Sequence, residues 1–352
     1  DRSAGGEQRA APRRLIRAMI IGPATRTLRD YQEFCIEGGD RHHGIGIMPC
    51  LARYGDALVL MATGCHRRGQ LVLRSDGAAV AVETVRVGDA LLGPDGRPRR
   101  VLRLNRGTAP MFEVRPVKGE AFVVNGEHVL TLAITNTGRP NARTGLVDVS
   151  VKHWLGWTVG EKHIHKLVRS KAIEFDRAPV DMMIPPYILG VMIGDGCLRK
   201  RLMVSKPDQE IELALREFAS AAGLRFKVDR SKSCPAYTLA GKTGRTGNPV
   251  LTELLRLGLR VGSSGRFVPD IYKYAPSEQR RELLAGLMDT DGSLAHNTYD
   301  YISASKRLAE DVTFIARSLG LAAYLSPSEK FCQTGAGGTY YRVCISGHTN
   351  NI

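Results

Sequence analysis

No apolar run in this chain of 352 residues approaches the roughly 20 needed to span a bilayer. The first 30 residues also lack a leader pattern. Cysteine is sparse and scattered: the seven (Cys35, Cys50, Cys65, Cys197, Cys234, Cys332, Cys344) are odd in number and never spaced C-x-x-C. That excludes an obvious disulfide framework or zinc ribbon and makes a reducing, cytoplasmic setting the expectation. Acidic residues are in deficit, with 35 Asp and Glu against 50 Lys and Arg, a net charge of +15. Such a surplus suits a polyanionic partner without proving one. Part of it, Arg199, Lys200, Arg201, Lys206, Arg225, Lys227, Arg230 and Lys232, clusters where alternating strands could present it on one sheet face. An ordinary solvated strand face is the bland alternative.

What is present is a duplication. Ile188-Leu-Gly-Val-Met-Ile-Gly-Asp195-Gly196 and Leu284-Ala-Gly-Leu-Met-Asp-Thr-Asp291-Gly292 are degenerate copies, their last acids 96 residues apart (195 to 291). Downstream, Ile211, Leu215, Phe218 and Ala222 share the spacing of Leu308, Val312, Ile315 and Leu319, which predicts two matched amphipathic helices. Each is followed by Gly-Leu and a strand-like run, Leu224 to Val228 and Leu321 to Leu325. The last half of the chain therefore reads as a repeated helix-plus-sheet unit.

A carboxylate at a helix C-terminus faces the negative end of the dipole, at a cost of about 0.3–1 kcal/mol. Gly190 and Gly286 occupy matching positions where two helices could approach closely, so that Asp195 and Asp291 emerge side by side. Paired carboxylates of that kind suit hard cations such as Mg²⁺ and metal-assisted phosphodiester cleavage. A buried helix stopped by a glycine cap is the alternative for either copy alone, and the duplication weighs against it.

The two motifs resemble those of a single-chain LAGLIDADG homing endonuclease. The second departs from the nine-letter consensus at Met288 and Thr290; the first is looser, with Ile193 in place of the acid at its sixth position. The resemblance implies an α+β fold of two pseudo-two-fold halves, a monomer binding double-stranded DNA, and Mg²⁺ held by Asp195 and Asp291 with Gly194 and Thr290. Lys232, Lys306 and Lys330 are candidates to neutralise charge at the site. Arg266-Phe-Val-Pro269 looks like the family's segment between the halves, and Ser303 to Leu321 like its block after the second motif.

From Cys65 the texture changes to short alternating runs broken by turn residues: Gln70 to Leu73, Val80 to Val85, Leu91-Leu92, Val101 to Leu104, Phe112 to Val114, Phe122 to Val124 and Val129 to Leu132. This predicts an all-β unit. Its first residue, Cys65, follows Gly64, whose uncrowded carbonyl a thiol can attack to convert peptide into thioester. That step is uphill, so hydrogen bonds and a proton donor are required. His128 is the candidate donor and Asn125 the candidate backbone or oxyanion holder. An inert core cysteine and a structural histidine are the alternatives.

Cys65-His-Arg-Arg-Gly-x-x-Val-Leu-x-x-Asp-Gly77, with Val82 to Gly96, resembles the N-terminal splicing block of inteins. Asn125-Gly-Glu-His128 resembles their second block, where threonine commonly stands in place of Asn125. The resemblance implies a Hint-type splicing domain, and inteins frequently carry a LAGLIDADG endonuclease. Residues 1–64 hold Leu28-Arg-Asp-Tyr-Gln32 and an apolar run into Ala62-Thr63-Gly64, resembling a superfamily 2 helicase whose phosphate loop is interrupted. The expected organisation is a host fragment (1–64), the Hint segment (65–180) and the endonuclease (181–352, halves 181–265 and 266–352). The ends read as those of a fragment without the C-terminal His-Asn block; His348 and Asn351 are wrongly spaced to supply it. Two other readings stay open: a LAGLIDADG-fold DNA-binding protein without nuclease activity, and a self-processing Hint domain beside a degenerate nuclease.

Overall fold

The computed structural model describes residues 65–352 except 94, 136–144, 179, 200, 232, 242–246, 296–297, 332–336 and 348–352. The helicase-like segment, Gly64, Lys232, His348, Asn351 and the side chain of Lys330 lie outside the described residues.

Glycine turns and alternating runs fold residues 65–180 as short antiparallel pairs. β1 (Leu71–Leu73) pairs with β2 (Ala79–Ala81), β3 (Ala90–Leu92) with β4 (Pro98–Arg100), and β5 (Met111–Val114) with β6 (Phe122–Asn125). β7 (Val129–Ile134) lies between β8 (Gly145–Ser150) and β9 (His165–Leu167). Val124, Leu130, Leu132, Val149 and Val151 form the core. The strand expected at Val101 to Leu104 does not form: Val101 is buried, its N–H donates to Asp89 O (2.7 Å) and its carbonyl accepts from Gly88 N–H (2.8 Å). Those bonds tie it to a turn, and residues 102–110 run exposed. Period-two reading also missed two short helices, α1 (Val151–Leu155) and α2 (Val159–Ile164). Local capping explains them: Ser150 accepts from His153 N–H, and Thr158 with Glu161 completes a capping box.

The duplication is plain in the second half. α3 (Pro186–Asp195) leads into β10 (Gly196–Cys197), β11 (Met203–Ser205), α4 (Gln209–Ala221), β12 (Arg225–Asp229) and β13 (Ala236–Ala240). After α5 (Pro249–Arg256) and α6 (Asp270–Lys273), the series recurs as α7 (Ser277–Asp291), β14 (Gly292–Ala295), β15 (Thr298–Ser303), α8 (Lys306–Ser318), β16 (Ala322–Phe331) and β17 (Gly337–Ser346). The two sheets share one strand order, β10-β11-β13-β12 and β14-β15-β17-β16. α4 and α8 bury the expected stripes, Ile211, Leu215 and Phe218 on one and Leu308, Val312 and Ile315 on the other. Both end through a glycine at positive φ (Gly223, +65°; Gly320, +84°), which glycine adopts without the steric cost of a Cβ.

α3 and α7 pack through their glycines. A methyl group on Gly190 would strike the carbonyl oxygen of Leu283, and one on Gly286 that of Tyr187. Backbone meets backbone at both places, so the two helix ends are drawn together. Around them lies one large apolar core that includes Leu189, Val191, Ile193, Leu283, Leu284 and Leu287.

The two halves of the described chain are also joined. Residues 170–178 run between them: Ile173 N–H donates to Ser318 O (2.9 Å) and Asp176 N–H to Ser75 O (2.8 Å). Arg280 is fully buried and donates to Ala275 O (2.7 Å), Ile173 O and Ser318 Oγ. Burial lowers its pKa to about 10, still charged at neutral pH. Gly77 (φ +86°) lies flat against the Tyr274 ring, leaving no room for a side chain. Arg317 closes the contact with a fork onto Glu120 (2.8 and 3.0 Å). No helix among the described residues is long and apolar enough to cross a membrane.

Candidate functional sites

α3 and α7 deliver Asp195 and Asp291 to one end of the helix pair. Asp291 is the more deeply set. Burial first, and then the charge of Asp195, raises its carboxyl to about 6, against the opposing pull of Arg266 and Lys206. Asp195 is partly exposed, 29 % for its side chain, and pairs with Lys206 Nζ at 3.3 Å. The same ammonium donates to the carbonyl of Thr290. Arg266 donates to the carbonyls of Ile193, Gly194 and Gly196, covering the orphan carbonyls where α3 stops. Its cation sits at the negative end of the α3 dipole and offsets the cost of the acid placed there.

Arg266 is itself held from α8. Ser305 Oγ donates to Arg266 O (2.6 Å), and Asp311, buried and paired with Lys273 at 2.6 Å, accepts from Val268 N–H (2.9 Å). Beneath the acids stands Tyr301, whose buried hydroxyl has no hydrogen-bond partner and whose ionisation burial strongly disfavours. A pocket of about 260 Å³ opens beside Asp291, lined among others by Gly194, Arg266, Ser303 and Tyr340.

Of the expected residues, Asp195, Asp291, Gly194 and Thr290 come together. The carbonyls of Gly194 and Thr290 are engaged by Arg266 and Lys206, and Thr290 Oγ1 donates within its own helix to Gly286 O and Leu287 O (3.0 and 2.9 Å). A methyl on Gly194 would collide with Thr290 Oγ1, so the looser first motif keeps glycine where the helices touch. Ile193, standing where the second copy has Asp289, is fully buried, whereas Asp289 accepts from Tyr187 OH (2.8 Å) across the helix pair. The missing acid thus belongs to helix pairing rather than to the acid cluster. The Lys306 ammonium lies 3.7 Å from Glu310 on its own helix. Sequence reading placed Lys206 on a sheet face and Arg266 in a connecting segment, and it passed over Tyr301. One signal existed: Val204 and Tyr301 pair with the glycines following each acid, so Lys206 and Ser303 stand at matching places in the two repeats.

The second site forms at the start of the β region. Cys65 and Asn125 exchange bonds: Cys65 N–H donates to Asn125 Oδ1 and Asn125 N–H to Cys65 O, both at 3.0 Å. His128 lies in the turn between β6 and β7, not on a strand as expected; its N–H donates to Asn125 O (3.2 Å) and its carbonyl accepts from Val151 N–H (2.9 Å). The His66 and His128 rings meet edge to face, centroids 4.8 Å apart. Burial, then the charge of His66, lowers His128 to about 4, and burial lowers His66 as well. The structure thus brings Asn125 onto the Cys65 nitrogen and sets His66, which sequence reading did not single out, against His128.

Residues 65–180 match the family model described as Hom_end-associated Hint, and residues 278–350 that described as LAGLIDADG-like domain. The chain therefore carries a Hint-type segment followed by a LAGLIDADG-like segment, the composition of an intein with a homing endonuclease. Among relatives, it is 29% identical over 257 residues to a replicative DNA helicase DnaB of Mycobacterium intracellulare, covering 67% of this chain and 39% of that protein. It is 30% identical over 184 residues to a replicative DNA helicase DnaB of Synechocystis, covering 46% of this chain and 20% of that one. It thus spans well under half the length of either. The structure of I-DmoI in complex with DNA and Mn aligns at 14% identity and a TM-score of 0.34, over 47% of this chain and 89% of that one.

Proposed function

We propose that this chain is an intein whose endonuclease cuts double-stranded DNA at Asp195 and Asp291 with Mg²⁺, and whose Hint segment forms a thioester at Gly64–Cys65. The division at 65, 181 and 266 follows from that reading, as do a monomeric endonuclease and a helicase host for residues 1–64.

The observation that carries the nuclease reading is the crowding of two carboxylates at the glycine-packed end of α3 and α7. An acid raised to about 6 by burial and then by a neighbouring carboxylate is a site where a hard cation relieves excess negative charge. Asp195 and Asp291 would hold the metal. Mg²⁺, when bound, supplies Lewis-acid stabilisation of phosphate oxygens and an activated water. The chain's own work is to supply that charge, to keep Lys206 and Arg266 beside it for the phosphate, and to exclude loose solvent through Tyr301 and the core beneath. Lysines and arginines on the sheets would bind backbone phosphates. In the assay, a plasmid bearing the uninterrupted insertion sequence is cut in Mg²⁺, and Asp195→Asn or Asp291→Asn abolishes the cut. Full cutting by both variants would leave the acids purely structural.

For splicing, support comes from the reciprocal Cys65–Asn125 bonds. Asn125 Oδ1 orients the Cys65 nitrogen as the thiol sulfur attacks the preceding carbonyl carbon. The departing nitrogen then needs a proton, which the half-buried His128 would deliver. Incubation with a small thiol should release residues 1–64, and Cys65→Ala should stop the release. Equal release from the alanine variant would remove Cys65 from the reaction.

A further inference from the structure

We propose that His66 is a positioning residue for the acyl shift, acting through His128 by seating edge-on against that ring and holding the pair to a single proton. The inference rests on the splicing reading given above.

Around the first residue of the Hint segment the backbone donors are satisfied. Cys65 N–H is on Asn125 Oδ1 (3.0 Å), Arg67 N–H on Val123 O (3.0 Å) and Val123 N–H on Gln70 Oε1 (3.4 Å). His66 is the exception. Its backbone is bridged to Val124 on β6, yet its Nδ1 is buried without a hydrogen-bond partner. Unpaired buried polar atoms are uncommon in folded proteins, and those that persist call for a reason. Here the reason lies next to it, because the ring meets His128 at 4.8 Å with an interplanar angle of 63°.

Two half-buried imidazoles in edge contact resist carrying charge together. Other charged groups on the elements packed around the pair are exposed or already matched. Glu127 pairs with Lys152 (2.5 Å), Glu113 with Arg115 (2.6 Å) and Arg68 with Glu83 (3.7 Å), while Arg67 is exposed. His66 is therefore the neighbour that decides whether His128 can hold a second proton. Burial and that neighbour both push His128 downward.

One proton suffices for the step. The Cys65 thiol gives its proton to an imidazole nitrogen of His128 and the new S–C bond forms at the carbonyl carbon of residue 64. The C–N bond to Cys65 breaks, and its nitrogen takes the proton back from His128. No proton is consumed. A permanently charged His128 could not accept the thiol proton, and the edge contact with His66 limits how the His128 ring can turn.

The test uses the full chain with His66→Phe, which keeps an aromatic edge and removes both nitrogens, and His66→Gln, which keeps a polar side chain. Release of residues 1–64 by dithiothreitol is followed against pH, and the His128 imidazole is titrated by NMR. Near pH 5, where the parent's His128 is still neutral, the phenylalanine variant should release at least roughly tenfold more slowly. Its His128 midpoint should move up, since burial still lowers it but the charge of His66 is gone. An unmoved midpoint with release within about twofold of the parent overturns the proposal. If the phenylalanine variant melts, the glutamine variant carries the same two readouts. If the parent releases nothing at any pH, the splicing reading fails, while the His128 titration still decides whether His66 sets its protonation.

Discussion

Asp291 is where chemistry and stability oppose one another. Its pKa, about 6, lies above the ordinary carboxylate value of 3.8, so the folded state binds this proton more tightly than the unfolded chain does. The stabilisation from that proton is complete below about pH 4 and is lost as pH rises through 6. At pH 8 without metal the buried charge is a net burden. Asp291→Asn should therefore raise the melting temperature at pH 8 in chelator and raise it less near pH 4; scanning calorimetry at both values checks this. A lower melting temperature at pH 8 would mean that the carboxylate makes compensating contacts. Single residues were legible where chemistry dictates type: two acids before glycines, a cysteine at a domain edge, an asparagine three residues before a histidine. Lys206, Arg266, Tyr301 and His66 were not, because their value comes from neighbours distant in sequence. The reach of Arg266 to Gly194, for instance, exists only once Ser305 and Asp311 have fixed its backbone.

At the scale of elements, the glycines of α3 and α7 set the geometry. A side chain on Gly190 meets backbone rather than a movable side chain, so the helices must part. Gly190→Ala should cost about 3 kcal/mol, the upper end for overpacking, by urea denaturation. Gly160→Ala on α2, with nothing within 4 Å of the added methyl, should instead be neutral or gain up to about 1 kcal/mol. Equal losses at both positions would show that helix propensity, not close approach, governs. The repeat was readable because apolar spacing survives sequence drift: α4 and α8 bury the same stripe although their exposed faces differ. The β region was read less well. Its strands are three to six residues long, so two turn bonds at Val101 displace a strand, and one capping box at Thr158 adds a helix that alternation does not signal.

For the whole molecule, the described halves are tied by Arg280 and by the Arg317–Glu120 fork. Arg280 serves three acceptors on two loops and α8, all of which lose this donor when the side chain is removed. Arg280→Ala should lower the melting temperature and split a single calorimetric transition into two, whereas Arg317→Ala, at a half-exposed pair, should shift it little. A single unsplit transition in the Arg280 variant would show that the segment around Ile173 joins the halves unaided. Sequence reading anticipated two adjoining units but not this bond between them, since an arginine in a charged helical stretch (Glu278 to Glu282) usually points to solvent.

The two repeats match in strand order yet not in what they place beside the acids. Lys206 stands where the second repeat has Ser303, and Val204 where it has Tyr301. The molecule therefore has a front and a back. A duplex laid along it would meet a left arm and a right arm of different chemistry, so a perfect palindrome would fit only one of them well.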